Sequence, residues 1–207
     1  GILNHGLALA FLLAGRGHHI TWLTAPSSRA HLTFIGNPFD TLYSPVHDID
    51  FDRTKPGRKP HLQQLCDEDV VCRSSAIEAE VIRDTGADIV INKHYYSTRL
   101  TCDRLNIPYV MYYTDGPSYL TDRNPQAHVS NAQAHDAINL AADRLGQPRP
   151  VLPPPFCQTS SCLNIVRGTP RTAGLSDEQL RQLPDTVAFC GALTYDGPPD
   201  ASAGIVA

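Results

Sequence analysis

Moving a proton near neutral pH needs a side chain that titrates there. Histidine does so, and a carboxylate on its second nitrogen steadies it. In this sequence His5 lies in Asn4-His5-Gly6 and His94 in Lys93-His94-Tyr95-Tyr96, both at the ends of expected elements. Asp115, in Thr114-Asp115-Gly116, follows an apolar run and is a carboxylate of the kind that could orient an imidazole. Each has an ordinary structural reading as well: His5 as a polar residue opening a helix, Asp115 as a turn former before glycine. Tyr95, Tyr96, Tyr112, Tyr113 and Tyr119 gather around the same two strand exits. There they either line an aromatic ligand cleft or simply pack the sheet.

Other chemistries find less support. Gly15-Arg16-Gly17 ends an apolar helix, whereas a dinucleotide-binding glycine loop follows a strand and opens a helix. His18-His19 has no partner ligands at metal-binding spacing. The six cysteines, Cys66, Cys72, Cys102, Cys157, Cys162 and Cys190, form no Cys-x-x-Cys pair and are too spread for a disulfide scaffold. No metal site or cofactor is expected, and reduced thiols point to a cytoplasmic setting. A net charge of −4 gives no electrostatic case for a nucleic-acid partner. The apolar run Leu7–Ala14 is too short to span a bilayer, and no transmembrane segment is expected elsewhere.

The elements that would position these residues alternate in type. A helix carries Leu3, Leu7, Ala10, Phe11 and Ala14 at three-to-four spacing, and a strand follows over His19–Thr24. A short helix over Arg29–Ile35 leads to a strand at Phe39–Tyr43. Residues 45–60 read as a long surface loop. Ser75-Ala76-Ile77-Glu78 has the spacing of a capping box within the next helix, which Gly86 ends. "DIVIN" (Asp88–Asn92) is a strand, Ser97–Asn106 a helix, Ile107–Tyr113 a strand and Ala132–Leu145 a helix. Cys162–Val166 and Val187–Cys190 complete the strands. This order predicts a single α/β domain, residues 1–207, Rossmann-like with a mainly parallel sheet. Ile20–Leu23, Ile89–Ile91 and Tyr109–Tyr112 are expected to be buried. Ligands of such sheets gather beyond the carboxyl ends of the strands, here Gly1–Gly6, Asn92–Ser97 and Thr114–Tyr119.

Three stretches resemble one family. "GILNHGLALAFLLAGRGHHITWLT" is similar to the opening of the N-terminal, acceptor-binding domain of UDP-glycosyltransferases with the two-domain GT-B fold, where Gly-His-x-x-Pro leads into a leucine/alanine-rich helix, Arg-Gly-His and a strand. "GADIVINKHYYSTRLTCDRLNIPYVMYY" resembles the family's next recurring segment, and "LPDTVAFCGALTYDGPP" the segment near that domain's end. The resemblance implies a Rossmann-like half of a GT-B fold that lacks the family's first strand and its C-terminal donor domain.

It also implies a reaction: inverting transfer of a sugar from a UDP-sugar to a hydroxyl of a small apolar acceptor. The UDP-sugar would bind only with a second domain, so this chain alone would be inactive. In the family the base is the histidine of Gly-His-x-x-Pro, and its carboxylate follows the "DIVIN"-type strand. Here Ile2 stands at the histidine position and Lys93 near the carboxylate position. His5, three residues on and on about the same helix face, is then the candidate base, with Asp115 as its partner. Ile2, Asn4, Lys93, His94, Tyr95, Tyr113 and Thr114 are the candidate acceptor-binding residues. The alternative is a degenerate, non-catalytic module of the same fold that binds a ligand or partner.

Overall fold

A computed structural model describes residues 2–48, 64–93, 95–113, 125–149, 160–172 and 174–191, with the backbone alone for 2–5 and 125–131. The chain divides into two compact units, Gly1–Asp48 with Leu193–Ala207, and Ile49–Ala192.

In the first unit, helix α1 (Ile2–Ala14) begins within the stretch expected as a strand exit, so residues 2–6 are helical. It stops at Gly15-Arg16-Gly17, where Gly17 takes a positive φ of 89° and His18 N–H returns to the carbonyl of Leu13. Strand β1 (Thr21–Thr24) pairs in parallel with β2 (Asp40–Tyr43), Thr21 opposite Asp40 and Thr24 opposite Tyr43. A short turn of 3-10 helix (Pro26–Ser28) and helix α2 (Arg29–Phe34) make the crossover. Leu7, Ala8, Ala10, Ala25 and Leu32 are buried. Phe11 packs on Phe39 with ring centroids 4.9 Å apart.

The second unit holds a four-stranded parallel sheet in the order β3 (Val90–Asn92), β4 (Tyr109–Tyr113), β5 (Leu163–Val166), β6 (Val187–Phe189). Helices α3 (Glu68–Thr85), α4 (Ser97–Leu105), α5 (Pro125–Arg144) and α6 (Asp177–Gln182) alternate with these strands. Each strand lies beside its predecessor in sequence, as short crossovers favour.

Local chemistry sets the helix ends. Asp67 caps α3 by accepting from the N–H groups of Asp69 and Val70, and left-handed Gly86 closes it. The Ser75–Glu78 spacing therefore sits inside a continuous helix and is not a cap. The reciprocal capping box is at Ser176 and Gln179, opening α6. Helix α5 starts at Pro125, earlier than the expected Ala132, because proline is well tolerated in a first turn.

Among the described residues the core falls into clusters, one of which joins Ile82, Cys102 and Tyr109. Leu65, Val71, Tyr96, Leu100, Ala134, Ile138 and Ala141 pack α3, α4 and α5 together. Met111, Tyr113 and Val166 pack with Leu183, Val187 and Phe189. Tyr109–Tyr112 are buried as expected. Ile89 and Ile91, by contrast, are 50% and 41% exposed, and Thr21–Leu23 are half-buried. Among the described residues β3 has a sheet neighbour on one side, and β1 pairs with β2. Among the described residues no helix is long and apolar enough to cross a membrane.

Candidate functional site

In the second unit the carboxyl ends of four parallel strands come together, and the β3 end is the most elaborated. Asn92, the last residue of β3, is buried beside Met111, its register partner on β4. Its Oδ1 accepts from the Tyr95 N–H at 3.1 Å, and its Nδ2 donates to the Tyr95 carbonyl at 2.7 Å. The chain is thus turned tightly around Lys93, which is half-buried.

Helix α4 starts directly after this turn, with no side chain of its own capping its N-terminus. A carboxylate from α3 approaches that end instead. Glu78, only 6% exposed, accepts from Ser97 Oγ at 2.6 Å and Thr98 Oγ1 at 3.2 Å on one oxygen, and from Thr101 Oγ1 at 2.7 Å on the other. Negative charge near a helix N-terminus is favoured by the backbone dipole. Both ends of the β3–α4 loop are therefore held by side chains.

At the neighbouring strand ends, Arg167 N–H donates to the carbonyl of Tyr113 at 3.0 Å, and Gly168 and Gly191 exchange backbone hydrogen bonds. Cys190 is exposed there, and partial burial raises its thiol's pKa. Tyr112 is 1% exposed, and its hydroxyl has no hydrogen-bond partner among the described residues. Burial pushes its pKa up to about 12, Cys190 adds to the rise and Arg167 opposes it. The phenol stays protonated at neutral pH.

The sequence-derived candidates fall into different settings. Ile2, Asn4 and His5 occupy the first turns of α1 in the first unit. Lys93 and Tyr95 belong to the β3–α4 loop of the second, where the structure brings them together with Asn92. Tyr95 packs its ring partly against the α3–α5 core, while Tyr96 and Tyr113 are buried in the cores. Three of the clustered tyrosines, Tyr96, Tyr112 and Tyr113, thus pack the fold. His94, Thr114, Asp115 and Tyr119 lie outside the described residues. Among the described residues no group of three or more His, Cys, Asp or Glu could hold a metal ion.

Sequence reasoning missed Asn92 and Glu78 as site-shaping residues. Asn92 had a usable signal, since a side chain with both a donor and an acceptor at a strand exit readily closes a turn. Glu78 had none, because its partners come from another helix.

No family model matches the chain, and no curated protein does. A solved structure, the crystal structure of a calicheamicin glycosyltransferase, is similar in fold with a TM-score of 0.58 at 19% sequence identity. The similarity covers 90% of this chain and 48% of that one, so this chain spans about half the length of that protein. Mixed α/β architecture with parallel sheets and this likeness together give the chain a glycosyltransferase-like, Rossmann-type fold.

Proposed function

We propose that the chain is the acceptor-binding, N-terminal half of a glycosyltransferase that moves a sugar from a UDP-sugar to a hydroxyl of a small apolar acceptor. The observation that carries this reading is the fold likeness, which takes in nearly all of this chain but about half of a glycosyltransferase. The resemblance of three sequence stretches to the GT-B family supports it.

In this reading Lys93 and Tyr95 meet the acceptor at the end of β3, and a second domain supplies the donor site. His5 is the proposed base that takes the acceptor's proton as its oxygen attacks the anomeric carbon. A second reading, a non-catalytic binding module, is favoured by Ile2 and Lys93, which replace the histidine and carboxylate that the resemblance leads one to expect.

Titration and turnover test both. The chain should bind methylumbelliferone, a small apolar hydroxyl-bearing probe, and Lys93→Ala should weaken that binding several-fold. UDP alone should bind no tighter than about millimolar, because a ligand must bury most of its surface to bind well. Micromolar UDP binding would overturn the division of labour. In an assembly completed by a donor domain, His5→Ala should lower turnover by about two to four orders of magnitude. Undiminished turnover rejects His5 as the base, and acceptor binding without any turnover supports the binding module.

A further inference from the structure

We propose that Asn92 is the positioning residue of the β3–α4 loop, setting the course of Lys93 and Tyr95 and thereby the affinity for a hydroxyl-bearing ligand there. The inference rests on the acceptor-binding reading above.

A carboxamide buried to this degree must place both its donor and its acceptor. Asn92 spends both on one residue: Oδ1 takes the Tyr95 N–H at 3.1 Å and Nδ2 gives to the Tyr95 carbonyl at 2.7 Å. Its Nδ2 also donates to the Met111 sulfur at 3.6 Å, which holds the carboxamide against β4. Asparagine is the side chain of this length that offers a neutral donor and acceptor together. Aspartate keeps the acceptor but sets a carboxylate oxygen against the Tyr95 carbonyl, and alanine removes both bonds.

Downstream, Glu78 holds Ser97, Thr98 and Thr101 at the start of α4. The stretch between these two anchors is short, and Asn92 restrains it from the β3 side. A loop already held in its bound shape loses less entropy when ligand arrives.

Asn92→Ala and the near-isosteric Asn92→Asp separate this role from a purely structural one. Val187→Ala, in the β6 core, serves as a control that loosens packing elsewhere. Asn92→Ala should speed hydrogen exchange at the Tyr95 amide about tenfold, and Asn92→Asp should leave that amide protected because it keeps the acceptor. Both should weaken methylumbelliferone binding about tenfold, the worth of roughly one hydrogen bond. Val187→Ala should lower the melting temperature and leave both readouts as in wild type. Unchanged Tyr95 exchange in folded Asn92→Ala overturns the proposal. So does faster exchange with unaltered affinity, which would make Asn92 structural only. Failure of the wild type to bind the probe would sink the acceptor reading and the affinity claim with it. The exchange readout would then show by itself whether Asn92 holds the loop.

Discussion

Glu78 carries a carboxylate that is ordinarily left in water, yet it lies buried between two helices and receives three hydroxyls from α4. Hydrogen bonds to a charged acceptor are stronger than neutral ones, and their loss strands buried donors. Glu78→Ala should therefore destabilise the second unit by about 2–4 kcal/mol, and Glu78→Gln by about 1 kcal/mol, since the amide retains one acceptor oxygen. Chemical denaturation midpoints measure this, and an alanine variant as stable as wild type would show that the hydroxyls are satisfied without the carboxylate. In sequence, Ser75-x-x-Glu78 matches a local cap. The match is misleading because α3 already has its cap at Asp67, well before Ser75.

Helix α1 and strand β1 come close together at Gly6. A Cβ placed on Gly6 would lie 2.9 Å from Cη2 of Trp22, an indole with little freedom to yield. Alanine at this helical position gains about 1 kcal/mol in propensity, but overpacking a rigid neighbour costs about 1–3 kcal/mol. Gly6→Ala should thus be destabilising on balance, read as a lowered melting temperature. A rise would mean that Trp22 repacks freely. Other element-level features were plain in the sequence. Gly86 ends α3 and Gly15–Gly17 ends α1, because glycine accepts the left-handed turn a helix exit needs. Helix α6 escaped notice because six residues are too few for periodicity to show.

The two units differ in how their sheets are protected. β4 lies between β3 and β5 with all five of its residues buried. Among the described residues β1 has β2 as its one strand partner, and it is half-buried along most of its length. Amide exchange tracks such local opening. Amides of Val110–Tyr113 should be the slowest in the chain, and those of β1 faster by at least about a hundredfold. Equal protection in the two sheets would refute this ranking.

From the residues alone came the α/β class, the parallel strands and nearly every element in order. Those features are encoded by neighbours: three-to-four spacing in α1, continuous apolar runs in β4, glycine after α3. The same logic located the β3 exit, because strand ends in parallel sheets are where ligands meet the chain. Only the tertiary structure decided what that exit is made of. It left Ile89 and Ile91 exposed, drew Tyr96, Tyr112 and Tyr113 into the cores, and turned Asn92 back onto Tyr95. It also joined Glu78 to hydroxyls 19 to 23 residues away. A run of isoleucines reads the same whether its far side is paired or bare, and a carboxylate's partners are set by which helices pack together. Burial and long-range pairing are properties of the assembled sheet, and no local pattern carries them.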